Sequence, residues 1–184
     1  MESSEIKSLM AQGESESLEL KKSLRSQNDA LKTAAAFANG YVSRNIRTYP
    51  IFESGKVKRD DIPEYDLDAV REAVANAVAH RDYRAHEPIQ LRLFDDRLEI
   101  SNPGPLPDDL TIEGILAGGV TRARDPILAQ ILLASGYMER AGFGIVFIRE
   151  RMTAGGASEP EFESGQSHFI ARLWARPAPD RTEI

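Results

Sequence analysis

The hydrophobic period changes once, abruptly, near the middle of the chain, and no other feature limits the fold as much. Val70, Ala73, Val74, Ala77 and Val78 recur at helical spacing, which predicts a helix that buries one stripe. Asp66 or Asp68 is placed to cap that helix, and it runs to about His80. Ile89, Leu91 and Leu93 then alternate with Gln90, Arg92 and Phe94, and Leu98 and Ile100 resume after Asp95-Asp96. That two-residue period, broken by a turn, makes 88–102 a β-hairpin. Asn102-Pro103-Gly104-Pro105 cannot extend it as a central strand, because proline has no N–H to give a ladder.

The remainder is read from punctuation. A short helix near Thr111–Ala117 ends at Gly118-Gly119, and Gly118–Asp125 has the composition of a mobile segment. Asp125-Pro126 starts the next helix, an acidic cap followed by proline at the first helical position, and Ser135-Gly136 ends it. Gly144 to Ala154 is the last helix, closed by Gly155-Gly156; Ser167–Ala175 is a closing strand and 177–184 a tail. Ahead of all this, residues 1–12 are polar, with a short helix at Ile6–Gln12. Ala30–Asn39 forms an alanine-rich helix with Gly40 at its C-terminal cap. Residues 41–64 are interrupted by Pro50, Gly55 and Pro63 and are expected to be a linker.

Composition removes several classes. Without cysteine there are no disulfides and no thiolate chemistry. His80, His86 and His168 are too scattered for a metal cluster. A net charge of −6 argues against a chain-wide nucleic-acid footprint. Arg44, Arg47, Lys56, Lys58 and Arg59 nonetheless gather in 41–59, where they are either a solvated linker or a DNA contact. The acidic N-terminus has no signal core and no apolar run reaches spanning length, so a cytoplasmic location without membrane contact is expected. No G-x-x-x-x-G-K-[ST] phosphate loop is present.

Three short segments carry chemistry. Glu72 and Asn76 lie one helical turn apart, away from the apolar stripe. An amide oxygen there can hold a hydrated Mg²⁺ while the carboxylate orients water; a solvated helix face has the same residues. Asn102 and Gly104 combine a group able to hydrogen-bond an adenine edge with a residue free to adopt positive φ, or form a plain turn. Gly142-Phe143-Gly144 opens a helix whose backbone N–H groups can face phosphate, although G-x-G is common in loops. Arg122 and Arg124 could clamp phosphates or sit on the surface.

In this order, the segments resemble the three boxes of the GHKL ATPase superfamily, which includes gyrase, heat-shock-90 chaperones, histidine kinases and MutL. More closely, REAVANAVAHRDY, IQLRLFDDRLEISNPGPLP, TRARDPILAQILLASGYMERAGFGIVFIRERM and EPEFE resemble the C-terminal domain of proteins labelled RecG-related ATP-dependent DNA helicases or transcriptional regulators. GESESLELKKSL and ALKTAAAFANG are similar to the start of a Schlafen/Alba-like DNA-binding domain, truncated here. The resemblance implies an α+β fold, a Bergerat-type two-layer sandwich with a mixed sheet and helices on one face over 65–176, and a helical remnant over 1–40.

It also implies roles. Asn76 would hold Mg²⁺ and Glu72 would orient water; Asn102 and Gly104 would form the adenine box; Gly142 and Gly144 would form the phosphate box, with Gly118–Asp125 as lid. Two departures bear on activity: Asn102 stands where the superfamily has aspartate, and Leu106 replaces the box's second glycine. The expected function is an ATP/Mg²⁺-binding module with slow hydrolysis at best and no helicase motor. The alternative is a nucleotide-insensitive regulatory or scaffolding module associated with DNA. The N-terminal remnant would pack on the larger module or on a second copy in a homodimer.

Overall fold

The computed structural model describes residues 40–52, 59–120, 122–134, 136, 138–139 and 141–179. The expected helices at Ile6–Gln12 and Ala30–Asn39 lie outside the described residues, as do Lys56 and Lys58. The described elements are β1 (Thr48–Phe52), β2 (Arg59–Pro63), α1 (Leu67–His80), β3 (Gln90–Leu93), β4 (Arg97–Pro103), α2 (Ile112–Ala117), α3 (Pro126–Ala134), α4 (Gly144–Ala154), β5 (Glu161–Ser164) and β6 (His168–Trp174). The fold is α+β. No helix among the described residues is long and apolar enough to cross a membrane.

Local chemistry sets the helix ends. Asp66 accepts from the N–H groups of Asp68 and Ala69 and caps α1, while Thr111 caps α2 through the Gly114 N–H. Asp125 accepts from Leu128 N–H ahead of Pro126. Gly118, at φ 79°, closes α2 in a left-handed conformation that glycine adopts without a Cβ penalty.

Four strands form one sheet in the order β3-β4-β6-β5, and β1 pairs with β2 separately. Every described pair is antiparallel, which corrects the expected mixed sheet. The reason is an insertion. β5 runs in the direction of β4, but the β5–β6 turn, with Gly165 N–H on the His168 carbonyl, returns β6 between them. The two co-directional strands are therefore never neighbours.

The sheet's faces differ sharply. Leu98, Ile100, Ala171 and Leu173 are buried toward the helices. Leu98, Ile100 and Leu173 pack with Val70, Ala73, Val74 and Ala77 of α1 and with Ile148 and Met152 of α4 in one core. The opposite face carries a charge ladder in which Glu99 Oε1 meets Arg97 Nε at 2.9 Å and Arg172 Nε at 3.2 Å. One apolar and one charged face is the pattern of an antiparallel sheet covered on one side. A second cluster joins Val78 and Ala79 of α1 to Leu128 and Leu132 of α3.

The expected linker contains structure. Residues 40–45 are helical, so Gly40 is itself helical and does not take the expected capping place. Val42 is fully buried in the main core with Ile46 against it, and such burial overrides the local breaker signal. Glu64 accepts from Arg47 N–H at 2.9 Å. Arg47 also reaches Asp95, donating to its carbonyl at 2.9 Å, so this cation of the 41–59 cluster is engaged within the chain.

Candidate functional site

α1 is buried on two sides, which its sequence did not foretell. The apolar stripe faces the sheet. The Glu72 side, expected to face outward, is covered by the chain entering α4, and Glu72 is only 1% exposed. Its carboxylate accepts from Asn76 Nδ2 at 3.0 Å and from the Glu139 N–H at 2.8 Å. Burial raises the Glu72 pKa above its usual 4.5, while the Glu139 N–H and Asn76 donors oppose that rise. The carboxyl is thus closer to neutral solution pH than an exposed one and better matched to general-base work.

Gly144 closes this corner. A Cβ at its position would stand 2.6 Å from Asn76 Nδ2 and collide with Glu72 Oε1, so only glycine fits. It also begins α4, whose N-terminal residue Phe143 makes no side-chain cap. The residue at its N-cap therefore supplies no side-chain acceptor to the first N–H groups of α4. Asn76 Nδ2 is spent on Glu72, which fixes the amide's orientation and leaves Oδ1 as the outward acceptor.

Beside this corner lies a cavity of about 100 Å³. Asn76 and His80 of α1 form one wall, Ile100, Asn102 and Ala171 of the sheet another, and Gly142 and Gly144 the end. Asn102 continues the buried row of Leu98 and Ile100 and is 3% exposed. Its Oδ1 is buried without any hydrogen-bond partner. A buried acceptor left unmet costs roughly 1–3 kcal/mol, so this atom marks an unfilled requirement.

Gly118–Val120 and Arg122–Asp125 flank the cavity, and Val120, Arg122 and Arg124 line it. Gly119 donates its N–H to the Gly142 carbonyl at 2.8 Å. Gly142, at φ +80°, leaves no room for a Cβ, which would lie 3.1 Å from the Gly119 carbonyl carbon. At the other end the Arg124 guanidinium packs on Gly104, at φ +106°, with 3.0 Å from the would-be Cβ to Cζ, and donates to the Pro105 carbonyl. Arg122 pairs with Asp109 at 2.7 Å. His80 is hydrogen-bonded to the Arg122 backbone, yet burial, aided by the Arg124 charge, holds its pKa below the usual 6.5. The imidazole is therefore neutral at neutral pH.

Asn76, Asn102, Gly104, Arg122, Arg124, Gly142 and Gly144 all line the cavity, and Glu72 stands directly behind Asn76. Leu106 lines it without filling it, its N–H held by Ser164 Oγ at 2.8 Å. The two arginines contact the 104–109 turn rather than Gly142 or Gly144. Two participants were missed. His80 was legible as the third residue of the Glu72, Asn76 series but had no assigned task, and the Glu139 N–H gives no sequence signal. The Arg81–Arg84 segment is structural: Asp82 N–H donates to the Pro103 carbonyl. Asp82 is held down to about 2 by Arg84. No group of three or more His, Asp or Glu suited to a metal ion occurs among the described residues.

Residues 86–173 match one family model. Its description is "Putative ATP-dependent DNA helicase recG C-terminal". The match spans β3 to β6, including Asn102, Gly104, Gly142 and Gly144, and begins after Glu72 and Asn76. Among solved structures, the chain is similar to the DIP2311 protein from Corynebacterium diphtheriae, with TM-score 0.68 and 29% identity over 78% of this chain. The similarity covers 29% of that protein, so this chain corresponds to under a third of its length. No functionally curated protein matches.

Proposed function

We propose that the cavity binds ATP with Mg²⁺ in the manner of the GHKL superfamily, with slow hydrolysis at best. The observation that carries this reading is Asn102, which lines a mostly apolar cavity and whose buried Oδ1 has no hydrogen-bond partner. An adenine amino group is a planar donor of the kind that such an acceptor lacks. The family description, which names an ATP-dependent protein, supports the same ligand.

The residues present fit the phosphate and metal ends as well. The uncapped start of α4 at Gly144 offers N–H groups and the positive end of a helix dipole to phosphate. Asn76 Oδ1, oriented by the bond from Nδ2 to Glu72, is the oxygen that would hold Mg²⁺. One amide is a sparse donor set, in keeping with an ion that takes most of its ligands from phosphates and water. When bound, the ion would neutralise charge on the phosphates. Glu72, raised toward neutrality by burial, would orient water and accept its proton. Its second oxygen is tied to Glu139 N–H, so the carboxylate cannot swing away.

Calorimetry with ATP, with and without Mg²⁺, tests the reading on the wild type and Asn76→Ala. Binding strengthened by Mg²⁺ in the wild type, with that dependence lost in Asn76→Ala, is the expected result. Absence of binding at millimolar nucleotide would refute it and favour a nucleotide-insensitive regulatory module.

A further inference from the structure

Which purine the cavity accepts depends on the head group of Asn102. This asparagine is 3% exposed at the inner end of β4, and Oδ1 has no bond to fix which way the amide faces. Ile100, Ile148 and Leu110 give the cavity apolar wall, and Asn102 is the polar residue that the sheet contributes to its lining. A carboxamide carries an acceptor and a donor on one planar head, whereas a carboxylate only accepts. Rotation about the last side-chain torsion is roughly two-fold and exchanges the two.

We infer that, given nucleotide binding in this cavity, Asn102 makes the site accept 6-amino and 6-oxo purines alike. In one orientation Oδ1 takes a hydrogen from the 6-amino group of adenine and Nδ2 donates to N1. Turned over, Nδ2 donates to the O6 of hypoxanthine and Oδ1 takes the N1 hydrogen. Each base then has both edge atoms satisfied and the amide's orphaned oxygen is met in both cases. An aspartate in the same place only accepts, so with either base it would meet one edge hydrogen and face a lone pair at the other edge atom, N1 of adenine or O6 of hypoxanthine. Sites built on hydrogen bonds reject an analogue that leaves a buried polar group unpaired, and the asparagine removes that rejection.

The test is the affinity of the full chain for ATP and for inosine triphosphate, measured side by side with Mg²⁺. The wild type should bind the two within about threefold, while Asn102→Asp, which satisfies one edge atom of each base, should weaken both by about tenfold or more. Asn102→Ala, which leaves a small neutral side chain if the buried aspartate fails to fold, should weaken both nucleotides together. A wild-type preference for ATP of tenfold or more, or a loss in Asn102→Ala confined to ATP, would overturn the inference while leaving nucleotide binding intact. Failure of the wild type to bind either nucleotide would overturn the nucleotide reading and the inference with it.

Discussion

The two ends of the cavity are in opposite states of completion. At the Glu72 end both carboxylate oxygens have a partner: Asn76 and the Glu139 N–H hold them, and Gly144 seals the corner with no room for one more carbon. At the Asn102 end a buried oxygen has none, and a borrowed guanidinium, that of Arg124, leans on Gly104. The first end is preorganised, its hydrogen bonds made before any ligand arrives. The second retains a cost that a ligand would relieve.

The largest effect should come from breaking the completed end. Gly144→Ala forces a methyl into Asn76 Nδ2 and Glu72 Oε1. Overpacking of this kind should cost about 2–3 kcal/mol, lower the midpoint in thermal denaturation, and abolish nucleotide binding. Asn102→Leu should act the other way. Replacing an unsatisfied amide with an apolar group of similar size should raise stability by about 1 kcal/mol. In binding assays the same variant should lose at least tenfold in ATP affinity, equivalent to about 1.4 kcal/mol.

Smaller effects should appear in the pH dependence. Glu72 has a raised pKa because burial disfavours its charged form. The folded state then holds a proton the unfolded chain has released, so stability falls as pH rises from 4.5 through the folded value. Glu72→Gln should lose that decline in urea denaturation across the acidic range. His80 has the opposite sign, since its pKa is depressed from 6.5 and stability falls as pH drops below 6.5. His80→Gln should flatten that limb and leave the Glu72 limb in place. The smallest change is expected at Arg151, which bridges Asp66 and Asp68 at 2.9 Å on the surface. Arg151→Ala should cost under about 1 kcal/mol, less at high salt.

What could be read from sequence follows the same contrast. α1, the β3–β4 hairpin and the ends of α2, α3 and α4 each carry a local signal: a period, a cap or a glycine. β1 and β2 carried none, because Pro50 and Pro63 lie inside these short strands. β5 offers one half-buried apolar residue, Phe162, among exposed ones. The antiparallel order of the large sheet also escaped, since insertion of β6 beside β4 is a nonlocal choice. At the site, the Glu72–Asn76 spacing was legible, whereas the burial of Glu72 was not, because its second partner lies 67 residues away. Asn102 was singled out by its place before Pro103-Gly104; that its oxygen would lack a partner depends on packing from α1 and β6.

The most direct test of nucleotide binding is an amide chemical-shift map of the chain titrated with ATP and Mg²⁺. The account predicts saturable shifts centred on Asn76, Asn102, Gly104, Gly142 and Gly144, with the charge ladder of Glu99 and Arg172 unmoved. Shifts confined to that outer sheet face, or none at millimolar nucleotide, would contradict it.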